Sequence, residues 1–357
     1  MNILEQIYDT NLPKINFYER KITIDTKRTI IQGPPKSGKS YLIYDYLSSY
    51  KREEYLYIDF ADYKNNSNEI IHYLDSFLEE HPIEVLVLEN FAFDFDIAFD
   101  IDSIIITTKN DTKIKGFSNI YVECLDFEEY LLFDKKHQSS SNSFNSFLKF
   151  GNFPEIIEYA EPKKAQRNYE ISKLYCEDAT QLQILFLLIK NAGEKKSIFQ
   201  LFNSLKKDIK VSKDTFYKTC ENFQNNKVIH LCEKFEQPKA VKKIFVYNYA
   251  LLDIVSYKKN FNNLFKNMTY LELQKRYTNI YYFDNVDFYI QEENEIVLAI
   301  PFFNNLISST IISKILPMVE LYTIEIITIV TVSSEQTIFI GEIEAQIVPF
   351  SNWAVSL

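Results

Sequence analysis

The chain has 357 residues, 46% of them hydrophobic and 25% charged, with a formal net charge of −10. That length allows two or three domains with sizeable cores, and the acidic balance argues against a surface coated in nucleic acid. No basic region followed by an apolar core opens the sequence, and no apolar run reaches the ~18 residues of a membrane span, so a cytoplasmic protein without membrane contact is expected.

Residues 1–27 read as a helix followed by a strand over Ile22-Thr23-Ile24, which Arg20 and Lys21 precede. Thr29-Ile30-Ile31 reads as a buried strand, and Tyr41–Leu47 as a helix with Leu42, Ile43, Tyr46 and Leu47 on one face. Between them Gly33-Pro34-Pro35-Lys36-Ser37-Gly38-Lys39-Ser40 fits G-x-x-x-x-G-K-[ST]. In that loop backbone N–H groups wrap a triphosphate, the lysine reaches the β- and γ-phosphates, and the serine hydroxyl ligates Mg²⁺. A strand, a glycine loop and a helix N-terminus in that order aim amides and the helix dipole at an anion. Bound nucleotide, ATP or GTP, with Mg²⁺ is therefore expected.

Glu54–Phe60 reads as a strand ending in an acid, 68–80 as a helix stopped by His81-Pro82, and Ile83–Leu88, Ser103–Thr108 and Asn119–Val122 as further strands. Strands alternating with helices predict a parallel sheet with helices on both faces and a ligand at the strand carboxyl ends. Glu89-Asn90 and Thr108-Lys109-Asn110 would converge there with the glycine loop. Hydrolysing P-loop enzymes place one acid at this strand end for Mg²⁺ and usually a second to polarise water. If Glu89 is the Mg²⁺ acid, Asn90 stands in the water-activating place. If Glu89 is the catalytic acid, Leu88 replaces the metal ligand. Either way one carboxylate is missing and slow hydrolysis is expected. Thr108 or Asn110 is placed to sense the γ-phosphate.

Lys135–Ser146 is polar and serine-rich and reads as a loop or hinge, followed by helical sequence to about Ala192. From Lys190 to Lys243 there are thirteen lysines against six acids, a local balance of +7 in an acidic chain. This segment reads as a helix over 198–207, a second helix from Val211 with Ser212 as N-cap, and two β-runs over 227–234 and 243–249. That is the layout of a winged helix, whose second helix would offer Lys213, Thr215 and Lys218 to DNA, or serve as a protein-contact module. A helix over 264–276 then precedes strands at Asn279–Phe283, Val286–Ile290 and Glu295–Ile300. Glu272 and Asp287 match the acids of a restriction-endonuclease-like core, but Ala299-Ile300-Pro301 stands where Glu-x-Lys is needed. An inactive nuclease fold is expected.

Taken together these blocks resemble the prokaryotic AAA-type ATP-binding proteins whose C-terminal half combines a winged helix with an endonuclease-like domain. The resemblance rests on the phosphate loop, Leu125-Asp126-Phe127-Glu128-Glu129-Tyr130-Leu131, Gly151-Asn152-Phe153-Pro154-Glu155, Val286-Asp287-Phe288-Tyr289-Ile290 and Ile347-Val348-Pro349-Phe350-Ser351-Asn352-Trp353. It implies ATP binding with Lys39 on the phosphates and Ser40 on Mg²⁺. The chain departs from the family pattern at Pro35 or Lys36, where a basic residue is usual, at Leu88-Glu89-Asn90, where Asp-Glu is usual, and at Glu177, where an arginine often precedes the acid matching Asp178.

The expected fold is α/β: a parallel-sheet P-loop NTPase core over 1–134, a hinge and helical lid over 135–190, a winged helix over 191–257 and a degenerate endonuclease-like α/β domain over 258–357. The expected function is a Mg-ATP-dependent switch with slow turnover. The alternatives are a nucleic-acid-binding regulator with vestigial hydrolysis and a nuclease.

Overall fold

The computed structural model describes residues 3–16, 18–93, 97, 99–108, 112–137 and 139–357. Two compact units divide the chain, Met1–Cys124 and Leu125–Leu357, where the sequence reading set the first boundary at 134/135.

The first unit is built on five strands, β1 (Arg28–Gln32), β2 (Tyr55–Asp59), β3 (Val85–Glu89), β4 (Ser103–Thr107) and β5 (Ser118–Tyr121). All pair in parallel, in the spatial order β2-β3-β4-β1-β5. Every residue of β3 and β4 is buried, as the unbroken apolar runs of those segments require of strands covered on both faces. Ile30, Leu56, Ile58, Leu86, Leu88, Ile104 and Ile106 form one face and pack with Leu4 of the helix Ile3–Asp9 and with Ile70, Leu74 and Phe77 of the helix Ser67–Glu80. Ile31, Tyr55, Val85, Val87 and Ile105 form the other and pack with Leu42, Ile43 and Leu47 of the helix Lys39–Leu47. The period-two alternation of these sets is the side-chain alternation of a strand.

Two local expectations are corrected. Ile22-Thr23-Ile24 forms no strand; Ile24 is buried in the same cluster as Leu42 and Ile43, so its apolar character serves packing without a ladder. The serine-rich stretch is no loop from residue 140 on, because Ser140–Phe150 is a helix. Ser139 caps it by accepting the Asn142 amide, and Phe144, Phe147 and Phe150 lie three apart on its buried side.

In the second unit, strands β6 (Ile229–Lys234), β7 (Lys243–Val246), β8 (Ile280–Phe283), β9 (Val286–Ile290), β10 (Glu295–Ala299), β11 (Ile326–Thr331), β12 (Gln336–Ile340) and β13 (Ile343–Pro349) form one mixed sheet. Their order is β12-β13-β11-β10-β9-β8-β6-β7. The hairpin β6–β7 joins it through a parallel pairing, Glu233 with Tyr281 and Lys234 with Tyr282, so a single sheet runs through residues read from sequence as two domains. The helices Ile198–Leu205 and Lys213–Asn225 precede that hairpin, the second with Ser212 as its N-cap. Ile315 and Val319 of the helix Asn305–Tyr322 pack on Ile296, Leu298, Ile327 and Ile329 of the sheet.

The recurring blocks of this unit have packing roles. Asp126 and Glu129 form a capping box at the start of the helix Phe127–Phe133, and the Leu125 amide donates to the Asn152 carbonyl. Pro154 opens the helix Pro154–Glu158. Phe350, the first residue of the helix Phe350–Ser356, lies against Phe127, Phe144 and Phe265. Among the described residues no helix is long and apolar enough to cross a membrane.

Candidate functional site

Because all five strands of the first unit run the same way, Gln32, Asp59, Glu89, Thr107 and Tyr121 end at one edge of the sheet. The chain leaves β1 for the β2 edge and later crosses from β4 to β5 on the other side of β1. The carboxyl end of β1 is therefore the topological switch point, where ligands of such sheets bind. The loop Gly33–Gly38 starts there and enters the helix Lys39–Leu47, with Gly38 at the N-cap.

Two glycines make the loop geometry available. Gly33 has φ +139°, and a Cβ there would stand 2.2 Å from the Val122 carbonyl oxygen. Gly38 has φ +103°, a left-handed value that costs a side-chain-bearing residue energy. Gly38 also brings no side-chain acceptor to the first-turn amides, as suits a helix start facing an anion.

Lys39 Nζ donates to the Gly33 and Pro34 carbonyls, both at 2.8 Å, so the ammonium is folded across the mouth of its own loop. Ser40 Oγ donates to Glu89 Oε1 at 2.5 Å. The Glu89 carboxyl is pushed up from its ordinary range by burial, against the opposing pull of the Ser40 hydrogen bond and of Lys39 and Lys36. Ser37 Oγ is wholly buried and makes no hydrogen bond. An orphaned hydroxyl inside such a loop is the kind of group a bound polyanion or its water would satisfy.

Beside Glu89 the sheet register places Asp59, which sequence reading noted only as the acid that ends a strand. Asn90 follows Glu89 with φ +55°. Its amide donates to Thr107 Oγ1 at 2.8 Å and its Nδ2 to Asp59 Oδ1 at 2.8 Å. The Tyr44 phenol, 3.2 Å from the Tyr57 hydroxyl, is pushed up to about 12 by burial and then by the charges of Glu89 and Asp59. Thr108 is buried beside the start of the loop, its amide donating to the Ile31 carbonyl at 3.4 Å. Lys109 and Asn110 lie outside the described residues.

Arg20 is the other group that sequence reading left without a role. Its Nη1 donates to the Ser37 carbonyl and its Nη2 to the Glu123 carbonyl, both at 3.0 Å, so one guanidinium fork ties the phosphate loop to the segment after β5. Burial pushes the Cys176, Cys220 and Cys232 thiols up to about 12, which disfavours the reactive thiolate at those three positions.

In the second unit Lys213 and Lys218 are exposed on the helix Lys213–Asn225. The two acids read as nuclease ligands are engaged with protein groups. Glu272 Oε1 accepts the Phe127 amide at 3.0 Å. Asp287 Oδ1 lies 2.7 Å from Lys266 Nζ and 3.7 Å from Lys243 Nζ, and its Oδ2 accepts the Ala299 amide at 3.2 Å. Among the described residues no group of three or more His, Cys, Asp or Glu is gathered as a metal site.

No family model matches the chain. An uncharacterized protein of Methanocaldococcus jannaschii is 24% identical over an alignment covering 78% of this chain and 75% of that protein. Among solved structures, a Walker-type ATPase of Pyrococcus abyssi aligns with 65% of this chain and 91% of its own, at 12% identity and a TM-score of 0.43. The Aeropyrum pernix Orc1 protein, solved in complex with DNA, aligns with 64% of this chain and 86% of its own, at 10% identity and a TM-score of 0.34.

Proposed function

We propose that the first unit binds ATP with Mg²⁺ and hydrolyses it slowly, as a nucleotide-dependent switch. The observation that carries this reading is the contact between Ser40 Oγ and Glu89 Oε1 at the mouth of a glycine loop. A hydroxyl and a carboxylate are hard oxygen donors of the kind Mg²⁺ takes alongside waters and phosphate oxygens. Ser40 and Glu89 would hold the ion, Lys39 and the backbone N–H groups of residues 36–40 would hold the phosphates, and Thr108 would read the γ-phosphate. When bound, Mg²⁺ offsets the negative charge on the β- and γ-phosphate oxygens. Lys39 gives up the Gly33 and Pro34 carbonyls for the phosphates, a direct exchange of acceptors. The differential affinity of two arrangements of the chain for nucleotide is what would make it a switch.

The test is calorimetric titration of ATP in the presence of Mg²⁺. Wild type binds, and Lys39→Ala, which keeps the fold by circular dichroism, loses binding. Equal affinity in the two proteins sinks the reading.

A second reading, DNA contact through the second unit, is favoured by the exposed Lys213 and Lys218 on one helix. It requires affinity that falls with salt, with a shallower dependence in Lys213→Ala/Lys218→Ala. Absence of binding at low salt removes it, and the helix is then left to a protein contact.

A further inference from the structure

We propose that Asp59 is the catalytic carboxylate that takes the proton from the attacking water, so that the acid absent after Glu89 is supplied from the neighbouring strand. The proposal rests on the nucleotide-binding reading and deepens it. In a parallel pair, residues in register project to the same side of the sheet, and Asp59 is in register with Glu89 at the last position of both strands. Glu89 is already committed to Ser40. Asp59 therefore lies on the same edge of the sheet as the Mg²⁺ acid, one strand further from the loop.

Asn90 then gains a reason. At the position after Glu89 it brings no charge, and its left-handed φ of +55° is one that asparagine tolerates better than most residues. That turn, fixed by the Thr107 hydroxyl, aims Nδ2 at Asp59 Oδ1. An amide nitrogen only donates, so Asn90 steers the carboxylate as an acceptor. The Ala61 amide donates to the same Oδ1 at 2.9 Å. Two donors hold Oδ1, and Oδ2 is the oxygen assigned to the proton.

The step balances as follows. The water oxygen forms a bond to the γ-phosphorus, and the bond from that phosphorus to the β,γ-bridging oxygen breaks with its electron pair staying on ADP. One water proton passes to Asp59 and is then released to solvent. The products are ADP, inorganic phosphate and a proton.

The experiment measures ATP affinity and steady-state phosphate release, with Mg²⁺, in wild type, Lys39→Ala, Asp59→Asn and the exchanged pair Asp59→Asn/Asn90→Asp. Asp59→Asn is expected to hold ATP within about twofold of wild type while kcat falls about 100-fold or more, the usual worth of a general base. The exchanged pair returns the carboxylate to β3 and recovers at least a tenth of the lost rate. Near-normal phosphate release by Asp59→Asn overturns the proposal alone. So does a wild type that binds ATP but releases no more phosphate than Lys39→Ala. A wild type that binds no ATP overturns the underlying reading and this proposal with it.

Discussion

The hydroxyl of Ser40, in the first turn of the helix Lys39–Leu47, donates to Glu89 Oε1 at the end of β3 across 2.5 Å. The contact holds a carboxylate that burial has made reluctant to ionise. Because its folded pKa lies above its unfolded value, the fold favours the protonated acid. That stabilisation is fully present below the ordinary carboxylate range and is lost as pH rises through the raised value. Glu89→Gln keeps an oxygen acceptor for Ser40 and removes the charge. Without nucleotide it should melt above wild type at pH 7, and the difference should vanish toward pH 4. Thermal melts of both proteins across that range check it; a variant less stable than wild type at pH 7 contradicts it.

Arg20 meets the phosphate loop at the Ser37 carbonyl and the segment after β5 at the Glu123 carbonyl. Its effect on nucleotide affinity should therefore come from holding the loop in shape. Arg20→Ala is expected to weaken ATP binding about tenfold, the worth of roughly one charge-assisted bond. Arg20→Lys should not restore it, since a single ammonium cannot span two acceptors as the fork does. Titration of the three proteins with ATP decides this.

Gly33→Ala should disturb the fold as well as the site. The left-handed φ costs about 1–3 kcal/mol for a residue with a side chain, and the new methyl would meet the Val122 carbonyl. The expected result is a melting temperature lower by roughly 5 °C or more together with loss of nucleotide binding. An alanine variant as stable as wild type would mean that the loop has a second conformation.

The first sheet is legible in sequence because its central strands are apolar on both faces: the runs Val85–Leu88 and Ile104–Ile106 stay wholly buried and cannot be read as half-exposed strands or surface helices. The phosphate loop is legible for the opposite reason, since its spacing is local. Asp59 was missed because its place beside Glu89 depends on the register of two strands far apart in the chain, and no local pattern encodes that. Arg20 was missed because it sits in an irregular segment and meets the loop through a backbone carbonyl, which no sequence pattern marks. The helix Ser140–Phe150 was hidden by its serines, residues that favour caps and turns; the phenylalanines three apart were the signal that outweighed them.

Asp287 offers the last test, in the second unit. Its carboxylate faces Lys266 and the buried Lys243, and Lys243 is pulled below the ordinary lysine range by burial, against the opposing effect of Asp287. Asp287→Asn keeps the shape and the backbone carbonyl that accepts from Lys243 Nζ but removes the opposing charge from the buried ammonium, which should cost about 3 kcal/mol. The folded pKa of Lys243 then drops further below its unfolded value of about 10.4. A lowered lysine penalises the fold fully below its folded pKa and stops doing so as pH rises past the unfolded value. The deficit of Asp287→Asn should therefore shrink between pH 7 and pH 9.5, and Lys243→Met in the same background should recover part of it at pH 7. Urea denaturation of the single and double variants measures both effects. A deficit that is the same at the two pH values would show that Asp287 acts through the Ala299 amide and Lys266 rather than through the charge of Lys243.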